Sequence, residues 1–507
     1  MVVPRPSLGR LMGYGALLAM LSGCAVGPNF TPPAPPVAQG YAGPGDKAAP
    51  RAVLTADTGP AGPWWQALGS RDLDEVMTYA LAHNQTVAAA QATLEKARAQ
   101  AQHENAGRYP VIGLGASYQR ERINIAALGF SGFPSPTLGL YSIGPTVNYD
   151  FDFAGGQRRR VEAARAQAEA QAFRADAAYL TLTGNVALQA VKIAGVSAEI
   201  ETLQAIADDD RKSIDIVAKA EAAGGEPRTA GLGGKLQLEQ DVALLPPLAD
   251  QLAQARHALA LLVGEAPSEW KAPDFKVSSF TPPDAIPVAL PSTLVRQRPD
   301  IRAAESDLHA DTAMIGVQTA RLYPDVRLVG SVTQEAVNPN NLSSTDAAAY
   351  NFGPELTYPI FDGGAIRADR RAAQAQARIS LARYRQTVLT AFVQVSDVLS
   401  ALAQDEERLA SDTRAEATAK ASLDDAREAY RLGGGPLSNV VVADRRWRQA
   451  SLAKLQATAQ RLLDIVDLFA ATAADWQSAR TAQNQQAPKK VLDGADVKSL
   501  APPNQSP

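Results

Sequence analysis

The chain of 507 residues has a single cysteine, Cys24. With one thiol it forms no internal disulfide and builds no cysteine-based metal site. Past residue 24 no apolar stretch reaches the roughly 18 residues of a membrane-spanning helix, which argues against a second helical span. Basic charge is also missing: a net charge of −4 and a pI near 5.8 leave no field for nucleic acid. Catalytic constellations are lacking as well. His83, His103, His257 and His309 are scattered, with no second ligand at metal spacing. Gly233-Gly234-Lys235-Leu236 lacks the Ser or Thr of a phosphate-binding loop and follows no strand. Neither a serine elbow nor a cysteine–histidine pairing occurs. The acidic runs Asp208-Asp209-Asp210 and Asp405-Glu406-Glu407 fall inside helical segments, where solvated faces are expected, with no carboxylate in a setting that raises its pKa. The expectation is a non-enzyme with no metal and no cofactor beyond a covalent lipid.

The start of the chain carries that lipid signal. Arg5 and Arg10 precede an apolar run from Leu11 to Leu21, which closes in Leu21-Ser22-Gly23-Cys24. These are the parts of a secretory signal peptide, here over residues 1–23. The ending resembles the lipobox of bacterial lipoproteins, which implies that Cys24 becomes acylated. An ordinary signal peptide with an incidental cysteine is the plainer alternative. Ala25, rather than aspartate, follows the cysteine, so the resemblance implies passage to the outer membrane. Residues 24–62, with Gly27-Pro28-Asn29-Phe30 and the prolines to Pro36, read as an extended spacer without regular structure. Residues 482–507 read as a disordered tail.

Between these ends the chain is written twice. At a spacing of 214, Ala89-Ala90 returns as Ala303-Ala304 and Tyr109-Pro110 as Tyr323-Pro324. At 209, Gly144-Pro145 returns as Gly353-Pro354, and Gly224 to Pro227 as Gly433 to Pro436. Collinear matches at nearly constant offset signal a duplication. The first repeat spans 63–272: a helical stretch from Leu73 to Ala106, a strand pair within 109–154, a long helix over 157–223 and a return helix over 228–264. The second spans 273–481, with a helical stretch from Pro291 to Arg321, strands within 323–361, a long helix over 365–432 and a return helix over 437–480. No proline interrupts either long helix. At 1.5 Å per residue each makes a rod of roughly 100 Å, beyond any compact domain. The rods are rich in Ala and poor in large apolar residues, so packing against copies from other chains is expected; a self-contained coiled-coil arm is the alternative.

The strands favour the first reading. From Leu140, the residues Tyr141, Ile143, Val147, Tyr149, Phe151 and Phe153 alternate with Ser142, Gly144, Thr146, Asn148, Asp150 and Asp152. In the second repeat Tyr350, Phe352, Leu356, Tyr358 and Ile360 alternate with Asn351, Gly353, Glu355 and Thr357. One apolar and one polar face suit the wall of a water-filled membrane barrel, and also a small sheet lying on a core. Four strands cannot close a barrel, and an open edge in lipid costs several kcal/mol for each unpaired backbone group. If the strands span a membrane, several chains share one barrel. Asn148, Asp150, Asp152 and Glu355 would then give the lumen a polar, mildly acidic lining.

Residues along nearly the whole chain resemble the TolC-like outer-membrane factors, in their lipoprotein (NodT-like) branch. They include Cys24 with Gly27 to Phe30, Trp64-Trp65 with Leu68, Ala80-Leu81 with Asn84, Ala255 to Leu259, Gly264 to Pro267, Arg298 to Glu305, Ile315 to Val317, and Tyr430 to Gly433. The resemblance implies an α+β membrane protein: a homotrimer sharing a twelve-stranded outer-membrane β-barrel, four strands per chain, continued by a long periplasmic α-helical barrel. It also implies an export channel whose partners are a periplasmic adaptor and an inner-membrane pump of the resistance–nodulation–division type. A lipid-anchored coiled-coil adaptor and a structural lipoprotein are the alternatives. The turns at Gly224, Gly225 and Pro227 and at Gly433, Gly434, Gly435 and Pro436 would form the periplasmic tip, where a gate is expected. Family members place a tyrosine there, matched by Tyr430, and paired aspartates nine and twelve residues later. Here those positions hold Asn439 and Val442, so the charged ring is not carried over. Asp444 is a candidate gate acid, although two residues along a helix turn a side chain by about 200°.

Overall fold

The structure is a computed structural model that describes residues 25–472, less 35–37, 39, 46–51, 56–62, 123, 125–128, 130, 131, 133, 135, 226 and 284. The signal peptide, Cys24 and the tail beyond residue 481 lie outside the described residues. In chain order the elements are β1 (Ala52–Thr55), α1 (Arg71–His83), α2 (Gln85–Ala106), β2 (Val111–Arg122), β3 (Thr137–Phe151), α3 (Gly156–Ala222), α4 (Arg228–Val242), α5 (Leu245–Val263), β4 (Ile286–Ala289), α6 (Pro291–Gln297), α7 (Pro299–Ala320), β5 (Asp325–Ala336), β6 (Ala348–Thr357), α8 (Ala365–Arg431) and α9 (Leu437–Thr472). The fold is mostly helical with a small sheet.

The helical stretch opening each repeat is broken into two helices. α1 and α2 part at Asn84, which is extended (ψ 122°) and caps α2 by accepting from Val87 N at 3.0 Å. α6 and α7 part at Arg298, also extended (ψ 124°), because Pro299 disfavours helical backbone before it. The two joints are 214 residues apart and share a task. Asn84 Nδ2 donates to Leu262 O and Arg298 Nη1 donates to Ala471 O, both at 2.8 Å. Those acceptors, 209 apart, lie at equivalent places in α5 and α9.

The first return helix departs from the expected single piece over 228–264. It is split at Ala243 and Leu244, because Pro246 and Pro247 fit a first helical turn but not an interior. Their counterparts are Leu455 and Gln456, and α9 runs unbroken for 36 residues. A second correction concerns residues 24–62. β1 pairs in parallel with β4, Ala52 opposite Ile286, and Tyr41 is buried with its hydroxyl donating to Ala289 O at 2.7 Å.

The chain divides into two compact units. One comprises residues 1–35, 88–177 and 299–390 and holds the sheet β2-β3-β5-β6, antiparallel throughout. Its helical core is built on alanines: Ala163, Ala166, Ala170, Ala310 and Ala313 are buried with Ile301, Val317 and Tyr384. The other unit comprises residues 36–87, 178–298 and 391–507. Its core gathers Trp64, Leu68, Leu73, Met77, Leu259, Leu294 and Phe469, with the Trp64 and Phe469 rings stacked at 5.6 Å. The Trp64-Trp65 and Leu68 motif is thus a packing anchor.

Candidate functional site

The sheet sorts its side chains by face. Cross-strand partners share a face, so the registers assemble Ile112, Leu114, Ala116, Tyr118, Tyr141, Ile143, Val147, Tyr149, Val326, Leu328, Val332, Tyr350, Phe352 and Leu356 on one side. This side is open: Ile112, Leu114 and Tyr350 are 76%, 77% and 86% exposed. Burying such a surface in lipid is worth roughly 25 cal/mol per Å², whereas leaving it in water forfeits that term. The opposite side carries Ser117, Gln119, Glu121, Ser142, Thr146, Asn148, Asp150, Ser331, Glu335 and Glu355.

Arg327 alters the expected acidity of this polar side. Paired with Glu355 in register, it binds Asp150 and Asp325, each at 3.1 Å. One cation among three carboxylates leaves this face acidic there, with part of the charge compensated. The strand around Arg327 alternates less cleanly than β3, and the arginine was missed for that reason. Asp152 stands one residue beyond β3. Its carboxylate accepts from Gln157 N at 2.9 Å and Arg158 N at 2.8 Å, capping α3 at the strand-to-helix turn.

At the C-terminal ends of α3 and α8 the duplicated turns share the same cap. Gly224 and Gly433 adopt φ of 76° and 78°, a left-handed conformation that glycine enters without strain. Gly225 N donates to Ala220 O and Gly434 N to Ala429 O, both at 2.9 Å, closing the same helix C-cap. Pro227 and Pro436 then launch α4 and α9. Tyr430 is 48% exposed in the last turn of α8, Asn439 is exposed in the first turn of α9, and Val442 is exposed one turn later. The equivalent of Tyr430 in the first repeat is Glu221.

Polar contacts near this end gather around Asp444 instead. It accepts from Arg427 at 3.0 Å and Arg448 at 2.6 Å, and Arg448 also grips Asp209. α3, α8 and α9 are thereby tied by alternating charges. A hydrogen bond from Lys212, with Arg448 adding its charge, holds the Asp209 carboxyl below the usual range despite partial burial. Asp444 is neutralised by two arginines, so it does not supply a free ring of negative charge.

The acidic runs are not plain solvated faces. Burial, then the charge of Asp241 and a hydrogen bond with it, push Asp210 up to about 6. Asp405 is buried, and burial together with a hydrogen bond to Asp405 pushes Asp464 well up from the carboxylate range. Two carboxyl pairs thus face each other across helices, one between α3 and α4 and one between α8 and α9. No spacing within a single helix signals a pair made between helices.

The model of the outer membrane efflux protein family matches residues 76–265 and 290–474. The chain is 26% identical over 494 residues to nodulation protein T of Rhizobium leguminosarum bv. viciae, covering 97% of the chain and 99% of the relative. It is 28% identical to outer membrane protein OprJ of Pseudomonas aeruginosa, covering 92% and 97%. Among solved structures, the outer-membrane channel OprN superimposes with a TM-score of 0.80 at 26% identity, covering 90% of this chain and 100% of that one.

Proposed function

The chain belongs to the outer membrane efflux protein family, in the lipoprotein branch of the TolC-like factors, and from that premise we propose that three copies form one continuous export duct. It resides in the outer membrane and extends into the periplasm. In this reading twelve strands close a barrel, four from each copy, and the long helices continue it through the periplasm. A periplasmic adaptor and an inner-membrane pump of the resistance–nodulation–division type deliver small molecules to it. The chain itself catalyses nothing, and transport draws its energy from the pump. Acyl chains on Cys24 aid targeting, while the strands provide the main attachment.

The observation that carries this reading is the sheet: an open apolar face, a polar face and two unpaired edges, β2 and β6. Neither a coiled-coil adaptor nor a structural lipoprotein has a use for it, whereas a shared barrel satisfies all three features at once. The duplication even supplies the register between copies. β6 is the counterpart of β3 at 209 and β2 that of β5 at 214, so the observed pair Thr146–Ser331 becomes Glu355 opposite Ser117 of the next copy. Apolar residues then stay on one face around the whole ring.

The test is thiol cross-linking in outer membranes of the Cys24-bearing chain with Ser117→Cys and Glu355→Cys together. Covalent trimers are expected with a short reagent, and neither single variant should give them. Covalent trimers appearing instead with Ser117→Cys and Gly353→Cys would overturn the register. At the tip, Tyr430 and Asn439, backed by the arginine–aspartate ties around Asp444, are proposed to hold the closed state. Without the usual aspartates, single-channel recordings should show weak cation selectivity and no strong block by trivalent cations.

A further inference from the structure

Arg159, in the first turn of α3, is buried to 4% exposure, and its acceptors come largely from one stretch of chain. Nε donates to Val26 O at 3.2 Å. Nη2 donates to Ala25 O and Gly27 O, each at 3.4 Å, and to Asn29 Oδ1 at 2.7 Å. Nη1 pairs with Glu162 at 2.7 Å. The other Glu162 oxygen binds His309 Nε2 at 3.0 Å, and the His309 ring lies against Phe30 at 4.5 Å, nearly parallel at 12°. Backbone contact completes the seat, with Val26 N donating to Ala154 O at 3.0 Å.

The fit leaves no room for side chains. A Cβ at Gly27 (φ 94°) would stand 2.5 Å from Gly316 Cα, and one at Gly155 would stand 2.5 Å from Ala25 Cα. A Cβ at Gly316 would meet both Arg159 Cγ at 2.7 Å and Val26 O at 2.8 Å. Three glycines from three segments are thus consumed in letting residues 25–30 lie flat on α3 and α7. Each residue from Ala25 to Phe30 except Pro28 makes one of these contacts, which a mere spacer does not require. A guanidinium this buried needs its acceptors: with the strap removed, only Glu162 of those named remains, and donors go unsatisfied.

We propose that Arg159, Glu162, His309, Gly155 and Gly316 form an intramolecular receptor that docks the mature N-terminus, seating its acyl anchor at the turn where β3 passes into α3. Residue 24 is joined to Ala25 by one peptide bond, so whatever it carries begins at this seat. The seat lies next to the end of the strand whose apolar face is proposed to enter the bilayer. Lipid and strands then insert at one level, and the seat exists only once the β3–α3 turn and α7 have come together. Anchoring is thereby coupled to folding of the strand–helix junction, and Arg159 acts as a positioning residue for the anchor.

This rests on the acylation of Cys24 proposed above, and the test separates the two. Full-length protein in outer membranes is treated with proteinase K, and the mass of the N-terminus of the remaining body is followed, alongside labelling with radioactive palmitate. Gly27→Ala and Arg159→Ala are each expected to speed removal of residues 25–30 by about tenfold, with palmitate incorporation unchanged. Because both release the same strap, the double variant should be cut no faster than either single one. Trimers that form should keep the wild-type heat-dissociation temperature in Gly27→Ala, which lifts the strap off Gly316 without changing any residue of α7 itself. Wild-type cleavage rates in Gly27→Ala, or rates that multiply in the double variant, would overturn the docking proposal. Absence of palmitate from the wild type would instead overturn acylation and leave the docking result standing.

Discussion

Gly144-Pro145 and Gly353-Pro354 are the same dipeptide at equivalent places in the two repeats, yet their surroundings differ. A Cβ on Gly144, in the central strand β3, would lie 2.1 Å from Val332 O, while nothing lies within 4 Å of a Cβ on Gly353 in the edge strand β6. The joints behave the opposite way. Asn84 and Arg298 are different residues, but each donates to an equivalent carbonyl of the returning helix at 2.8 Å. Where the repeats are complete within one chain, chemistry converges. Where the second repeat stops at an edge, the same sequence is left without its neighbour, and that gap is the one the proposed second copy would fill.

The largest effect should come from this contrast. Gly144→Ala forces backbone apart within the sheet and is expected to abolish the heat-resistant trimer on gels, a loss of about 3 kcal/mol or more. Gly353→Ala should be harmless in monomers but should lower trimer dissociation temperature once β2 of the next copy covers that edge. A trimer indifferent to Gly353→Ala would break the proposed pairing. The return helices give a second, smaller contrast. Leu455→Pro places a proline where α9 is continuous and should cost about 3 kcal/mol, read by thermal circular dichroism. Changing Pro246 and Pro247 to Ala, at the matching site of the first repeat, should move stability by about 1 kcal/mol or less. Equal effects at the two sites would mean that the break between α4 and α5 is not set by the prolines.

The smallest effect concerns the carboxyl pairs, which the repeats do not share. Asp210 and Asp241 correspond to Ala419 and Ala450, while Asp405 and Asp464 correspond to Val196 and Ala255. Asp210 is raised, so its neutral form is the one the fold favours. Its contribution is present at acid pH and is lost as pH climbs from the unfolded carboxylate value near ~4 through about 6. Asp210→Asn should therefore raise melting temperature above pH 6 and leave it unchanged below pH 4. With water screening a partly exposed group, the gain is about 1 kcal/mol. A melting temperature unchanged by Asp210→Asn at pH 7.5 would argue that Arg445 and Arg448 already offset the charge.

Much of this was legible in order along the chain. Proline-free, alanine-rich runs give α3 and α8 within a residue of their expected ends, because helix propensity and its breakers are local. The alternation from Tyr141 to Phe151 gave the two faces of β3, since side chains alternate in any strand. The glycine turns were legible for the same reason, as left-handed backbone is a property of single residues. The seat of residues 25–30 was not, because Arg159 meets the strap across more than 130 positions of sequence. Nor were the balancing of Asp150 by Arg327 and the capture of Asp444 by Arg427 and Arg448. Each depends on which strands or helices lie side by side.

The sequence by itself determined the duplication, the rods, the amphipathic strands and the place of the glycine turns, all of which follow from periodicity and backbone preference. Only the tertiary structure decided which charges are spent on one another, where helices break so that a side chain reaches a neighbour's carbonyl, and that the segment after Cys24 is seated instead of free. Those are decisions of proximity: burial raises the cost of an unpaired charge or carbonyl, and the fold alone says which groups are buried together.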